Sequence, residues 1–299
     1  MNVVAALHTD RMCASLTGLQ VVEFKDLIPQ FEWNYLEYRM KMKPNRKRAV
    51  GGGIKGKLIS IEDKLLFILI YLKAYPTIDV LAYHAGFDRS RASRWVQKLL
   101  PVLEMTLKRK LVLPQRRISS PEEFIKLFPG ITEVFGDATE RRIQRSRNKK
   151  KQNKTYSGKK KTHTRKNVLL VDNKKRILVL TTTKSGRRHD KRLADKQNLF
   201  QSIPESVTAW VDTGFQGIQK QHLNTMIPKK NTKKNPLTEQ DREENKIISH
   251  FRVIVEHAIG GIKRYQCLQQ PYRNKIASMD DKLALISAGL WNYHLSYST

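Results

Sequence analysis

Two stretches decide the fold: Val134-Phe135-Gly136-Asp137-Ala138-Thr139-Glu140 and Trp210-Val211-Asp212-Thr213-Gly214-Phe215. In each, an apolar run of strand character reaches an aspartate, which predicts strands over 131–137 and 207–212 with a carboxylate at each end. Ligands of α/β sheets gather at the carboxyl ends of strands, so neighbouring strands would bring Asp137 and Asp212 together. The alternative is that each aspartate merely opens a turn, a common use of Asp. If the two do meet, like charges at short range call for a cation between them, and all-oxygen ligation suits Mg2+ or Mn2+.

Outward from these strands, 167–171 and 177–181 read as a hairpin joined by the turn Asp172-Asn173-Lys174-Lys175. A helix over 191–203 follows, a short strand near 225–227, and long helices over 238–265 and 280–294. Strands followed by helices, without an internal repeat, indicate an α/β or α+β domain.

The 238–265 helix offers candidates for a third carboxylate. Glu239, Asp241, Glu243 and Glu244 fall in its first turns, where acids favour a helix N-terminus and need no other explanation. Glu256 is different. Arg252, Glu256 and Lys263 are spaced by four and seven positions and share one stripe of the helix, at the edge of an apolar face formed by Phe251, Val255, Ala258 and Ile262. An ordinary Arg252–Glu256 surface pair is the plainer reading of that spacing.

Upstream, apolar residues recur at spacings of three and four from Phe24 to Tyr38, the stripe of an amphipathic helix. Residues 41–56, rich in Lys and Arg and containing Pro44 and Gly51-Gly52-Gly53, read as a basic linker, giving an N-terminal segment 1–56. Ser60 and Asp63 form a capping box for a helix to about Lys73, Thr77 caps a second helix over 78–84, and Gly86 turns the chain into a third capped by Asp88. Three short helices around a glycine turn are the signature of a helix-turn-helix, here assigned to 57–117. The third helix carries Arg89, Arg91, Arg94 and Lys98 opposite Ala92, Val96 and Leu99, so a basic face could meet phosphates and base edges. A further helix opens at Ser120-Pro121-Glu122-Glu123. The remaining domain runs from 118 to 299.

With 57 Lys+Arg against 27 Asp+Glu in 299 residues, the formal net charge is +30. A field of that size points to a polyanionic partner. The longest apolar run, Leu65 to Leu72, is too short for a hydrocarbon core that needs roughly 20 residues, and the N-terminus lacks the pattern of a secretion signal, so no membrane partner is expected. Cys13 and Cys267 are too few for a disulfide framework or a CxxC zinc site.

Gly136-Asp137-Ala138-Thr139-Glu140, Tyr156-Ser157-Gly158-Lys159-Lys160-Lys161, His189-Asp190, Val211-Asp212-Thr213-Gly214-Phe215-Gln216-Gly217 and Val255-Glu256-His257 occur in the order seen in IS5-family bacterial transposases. The chain resembles that family over nearly its whole length, helix-turn-helix included. The resemblance implies an RNase H-like catalytic domain, a mixed sheet with flanking helices, preceded by an all-α helix-turn-helix domain. It also implies metal-binding acids at Asp137, Asp212 and Glu256. The family's Tyr-Arg-Glu-Lys tail motif is matched at Arg252, Glu256 and Lys263, whereas Ser249 stands in the tyrosine's place.

Between Arg141 and Lys166 there are thirteen Lys+Arg and no acid. The segment 141–166 is read as a loop gripping DNA beside the acids, with Lys159, Lys160 and Lys161 as contacts, although such a run is more often a solvated tail. His189 and His257 adjoin the proposed acids in sequence and are read as phosphate contacts or structural residues rather than metal ligands, because hard oxygen sites rarely recruit imidazole; with Asp190 they are assigned to the surroundings of the acids. The expected chemistry is phosphoryl transfer on double-stranded DNA with two Mg2+ ions, Mn2+ substituting. The resemblance implies cleavage at terminal inverted repeats and joining to target DNA, by a homodimer or higher oligomer associated with the bacterial nucleoid in the cytoplasm. A stand-alone nuclease of the same fold, or a relative that only binds DNA, are the alternatives.

Overall fold

The computed structural model describes residues 1–45, 56–233 and 235–298, so most of the linker assigned to 41–56 lies outside the described residues. The chain divides into two compact units, Met1–Leu113 with Lys263–Gln270 and Lys282–Thr299, and Pro114–Ile262 with Pro271–Asp281.

The first unit is helical: α1 (Val3–Ala6), α2 (Asp10–Thr17), α3 (Val21–Met42), α4 (Ile61–Ala74), α5 (Ile78–Ala85) and α6 (Arg89–Arg109). The caps read from sequence form. The Ser60 hydroxyl accepts from the Asp63 amide at 2.9 Å while Asp63 accepts from the Ser60 amide at 3.2 Å, and Asp88 accepts from the Arg91 amide at 2.8 Å. Ala92, Val96, Leu99 and Leu103 are buried along α6, and α4, α5 and α6 pack together as the helix-turn-helix.

In the second unit α7 (Pro121–Leu127) precedes β1 (Glu133–Arg142), α8 (Lys149–Thr155), β2 (Tyr156–Ser157), β3 (Thr162–Val171), β4 (Ile177–Leu180), β5 (Lys184–Ser185), α9 (Asp190–Asp195), β6 (Thr208–Val211) and β7 (Thr225–Met226). The long α10 (Glu239–Lys263) follows in this unit, while α11 (Gln266–Gln269) and most of α12 (Met279–Leu295) belong to the first. β1 is central: it pairs antiparallel with β3 and parallel with β6, which pairs parallel with β7. The other edge of β3 carries β2, β5 and β4, all antiparallel. This mixed sheet with flanking helices is the RNase H-like arrangement. Its core gathers Val134, Leu170, Phe200, Ala209, Val211 and Phe215.

Three expectations are corrected. β1 does not end at Asp137 but continues to Arg142, because Ala138–Arg142 pair with the antiparallel β3 as far as Thr164. Its polar residues hid this extension from an apolar-run reading. For the same reason 141–166 is not one loop: Arg141 and Arg142 end β1, Thr162–Lys166 begin β3, and α8 lies between them with Asn148 capping it. The helix expected over 191–203 stops at Asp195, and Asn198 takes the left-handed conformation (φ 51°) that Asn tolerates and helices exclude.

Candidate active site

The parallel register of β1 and β6 sets Glu133 beside Thr208 and Gly136 beside Val211. One step further, Asp137 and Asp212 therefore stand side by side on strands roughly 4.8 Å apart. Gly136 makes that approach possible: a Cβ there would lie 3.1 Å from Val211, 3.2 Å from Leu170 and 3.2 Å from Phe200. Asp212 follows the end of β6 and caps a 3-10 turn, Thr213–Phe215. Its Oδ1 accepts from the Thr213 amide at 2.6 Å and the Thr213 hydroxyl at 3.2 Å. Asp137 Oδ1 accepts from the Ala138 amide at 2.7 Å.

The electrostatics reflect crowding. Burial pushes the Asp137 carboxyl above its usual range and the Asp212 charge pushes the same way, while the Ala138 amide, Arg252 and Lys159 pull it back. Arg252 approaches from α10, with Nη1 3.6 Å from Asp212 Oδ1 and Nη2 3.7 Å from Glu256 Oε1. Its buried Nε has no hydrogen-bond partner among the described residues.

An aromatic stack fixes α10 over the sheet. The Phe251 ring stacks on Trp210 at 4.3 Å between centroids, both rings face Phe135, and the Trp210 indole donates to Glu133 at 3.1 Å. Adjacent to Phe251 in sequence, Arg252 is thereby delivered to Asp212. The Glu256 side chain keeps 57% of its surface exposed. Among the described residues, no three His, Cys, Asp or Glu side chains converge closely enough to hold an ion. The structure thus brings Asp137 and Asp212 together and ties Glu256 to them only through Arg252. Of the acids upstream, Asp241 and Glu244 both pair with Lys229, at 2.6 and 2.9 Å.

A buried ion network flanks the pair. Lys166 on β3 faces Glu140 on β1; its Nζ lies 3.1 Å from Glu140 Oε1 and donates to Asp190 Oδ1 at 2.7 Å and to the Arg188 carbonyl at 2.9 Å. All three charged side chains are less than a tenth exposed. Burial raises the Glu140 carboxyl, but the Thr164 hydroxyl, donating at 2.5 Å, and the Lys166 charge outweigh it and hold the group below its usual range. Asp190 in turn abuts Gly214, where a Cβ would sit 2.9 Å from Asp190 Oδ2. The network therefore braces β1 and the turn after Asp212 from the same side.

Among the remaining sequence-designated residues, Lys159, Lys160 and Lys161 are exposed, and Lys159 lines a cavity of about 550 Å3 with Asp212, Lys166, Arg187, Arg188 and Lys230. His189 is exposed at the start of α9, His257 is exposed beside Glu256, and Lys263 ends α10. On α6, Arg89, Arg91 and Arg94 are exposed, while Lys98 lies 4.8 Å over the Trp95 ring and 5.1 Å over Tyr35. Arg39 and Lys43, which the sequence reading did not single out, share a basic depression with Arg94 and Lys98. The Lys166 network was also missed; the opposite charges of Glu140 and Lys166 on paired strands were its only sequence signal.

Adjacent carboxylates on parallel strands of an RNase H-like sheet, with basic side chains around them, define a metal-dependent phosphodiester-cleaving enzyme. The family described as DDE superfamily endonuclease matches residues 136–292, and the helix-turn-helix of that superfamily matches residues 56–109. The chain belongs to the DDE superfamily endonucleases. It is 31% identical over 255 residues, 85% of this chain and 88% of the relative, to the probable transposase for insertion sequence element IS702 of Microchaete diplosiphon. No solved structure matches it. Among the described residues no helix is long and apolar enough to cross a membrane.

Proposed function

We propose that this endonuclease is the transposase of an insertion sequence of the IS5 family, binding terminal inverted repeats, cutting the element ends and joining them to target DNA. The observation that carries the reading is the register that seats Asp137 beside Asp212 beneath an α10 stacked in place by Phe251. The likeness to the IS702 transposase across both functional segments supports it.

Asp137, Asp212 and Glu256 are the metal ligands in this reading. The fit rests on donor chemistry: Asp137, raised chiefly by burial and further by the Asp212 charge, offers with Asp212 an all-oxygen set that suits Mg2+, with Mn2+ as substitute. Two bound ions would activate a water or 3′ hydroxyl and stabilise the leaving 3′ oxygen. The chain's own residues do the rest. Glu256 is exposed and can turn toward the pair once Arg252 releases it, and the orphaned Arg252 Nε is a ready donor to a DNA phosphate. Lys159, Lys160, Lys161 and Lys263 add phosphate contacts, and His189, Asp190 and His257 surround the acids.

In this scheme the helix-turn-helix at 57–117 recognises the repeat through Arg89, Arg91, Arg94 and Lys98, residues 1–56 contribute a helix and a basic arm, and 118–299 perform the chemistry. Cutting two ends together requires a dimer or higher oligomer, working on nucleoid DNA in the bacterial cytoplasm. Incubation of the protein with labelled repeat ends, a target plasmid and Mg2+ tests the reading. Joined products lost in Asp212→Asn support transposition; cutting without joining indicates a plain nuclease, and binding alone a DNA-binding relative.

A further inference from the structure

β1 does more than carry Asp137. Beyond it the strand runs on to Arg142, and Ile143 forms a parallel bridge with Tyr272, whose amide donates to the Arg142 carbonyl at 2.8 Å. This stitches the 271–281 segment to the strand's far end. The junction is buttressed from below. Arg141 is buried, lies 4.7 Å over the Tyr272 ring and donates to the Asp280 carbonyl at 3.0 Å, while Arg165 donates to the Asp280 carboxylate at 2.7 Å. On the other wall, Gln152 accepts from Arg145 at 3.1 Å and donates to the Ser146 carbonyl at 2.7 Å.

Between these walls lies an open groove of about 830 Å3. Six cations line it, Arg145, Arg147, Lys151, Arg165, Arg273 and Lys275, against one carboxylate, Asp280, which is 5% exposed and engaged by Arg165. Concentrated like charge on fixed walls costs stability through self-repulsion, and an anion relieves it. An open concavity lined mainly by cations suits a polyanion that can pass across it, whereas small-molecule sites are enclosed and mostly apolar. Ile143 lies six positions past Asp137, about 20 Å at roughly 3.3 Å per residue. Phosphates on one DNA strand are roughly 3.4 Å apart along the helix axis, so that separation spans about six nucleotides.

We propose that this groove is a second DNA-backbone site on the catalytic unit, holding the element-end duplex about six nucleotides from the phosphate presented to Asp137 and Asp212. It rests on the proposed function for the position of the cut, but not for the binding itself. Its contacts are to phosphates, so it is indifferent to base sequence.

The test uses Arg147→Glu with Lys275→Glu, one from each wall, and the milder Arg147→Gln with Lys275→Gln, which leaves the Tyr272 stitch intact and guards against misfolding. Binding of the end duplex is followed against salt, and phosphate-ethylation interference maps the contacts. Two lost contacts should lower the log-log salt slope by about 1.8 in both variants. Interference at phosphates five to seven nucleotides from the cut should vanish with it, while a shortened end that stops before those phosphates binds both variants as it binds the parent. An unchanged slope and interference pattern would overturn the proposal. Loss confined to target plasmid in the joining reaction would overturn the element-end assignment in favour of target DNA. A protein that binds but never cuts would defeat the transposase reading alone, since the interference arm still reports the groove.

Discussion

The Arg252 guanidinium lies 3.6 Å from the Asp212 carboxylate, so the charge nearest this half of the acid pair belongs to the protein itself. Arg252 also helps hold the Asp137 carboxyl down and pairs with Glu256 at 3.7 Å. It thus serves as a resident counter-cation for the acids, and under the proposed metal assignment it would compete with a divalent ion for them.

Replacing Arg252 by Met should therefore separate metal binding from DNA chemistry. Without DNA, the variant should bind Mn2+ several-fold more tightly in a calorimetric or electron-spin titration, because a repelling charge has gone. Cleavage should nonetheless fall by about 10- to 100-fold, a loss of roughly 1.4–2.8 kcal/mol of transition-state stabilisation, since a donor to phosphate is missing. Weaker Mn2+ binding would mean that Arg252 organises the acids rather than opposing the ion.

Glu256→Gln tests the third ligand. It keeps the size and hydrogen-bonding capacity of the side chain and removes its charge, so cleavage and joining should be abolished with repeat binding nearly unchanged. Glu244→Gln disturbs only the exposed Lys229 pair and Glu243→Gln an exposed helix surface, and both should retain most activity. An active Glu256→Gln beside a dead upstream variant would reassign the ligand.

Much of this site was legible from local pattern, and what was not has a physical cause. Asp137, Asp212 and the Arg252–Glu256 spacing follow from apolar runs and helical periodicity, which act over a few residues. Strand pairing is non-local, and the extension of β1 through Glu140, Arg141 and Arg142 depends on β3 supplying hydrogen bonds to polar residues. Lys166 was read as part of a basic loop gripping DNA because nothing in its neighbourhood announces that Glu140 and Asp190 enclose it. The stack of Trp210 on Phe251 joins residues 41 positions apart and became visible only with the fold.

The enclosed Lys166 should behave as a positioning residue. Lys166→Met fills similar volume but leaves the Glu140 and Asp190 carboxylates buried without their cation, a class of change that costs about 3–5 kcal/mol. Melting should fall by several degrees. The mechanistic readout is the Mg2+ concentration for half-maximal cleavage, which should rise as the turn bearing Asp212 loses its brace. Lys166→Met with Glu140→Gln and Asp190→Asn should recover much of the melting temperature but not the metal response. If metal dependence recovers along with stability, the network is structural only.

Asp137 should show the cost that an active site imposes on its own fold. Its folded-state pKa is raised, chiefly by burial and then by Asp212, so at neutral pH the charged form is disfavoured in the folded chain relative to the unfolded one. For a raised carboxyl the native state binds more protons than the unfolded state, and stability falls as pH rises through the folded pKa. Asp137→Asn removes that penalty. In metal-free buffer at pH 7–8 the variant should melt above the parent, and its advantage should shrink as pH drops below the folded pKa and the parent's carboxyl becomes protonated. Adding Mg2+ should reverse the order, raising the melting temperature of the parent by ligand linkage while leaving the variant nearly unmoved. A variant that melts lower than the parent without metal at pH 7–8 would show that the Ala138 amide, Arg252 and Lys159 already stabilise the ionised carboxylate more than burial and Asp212 oppose it.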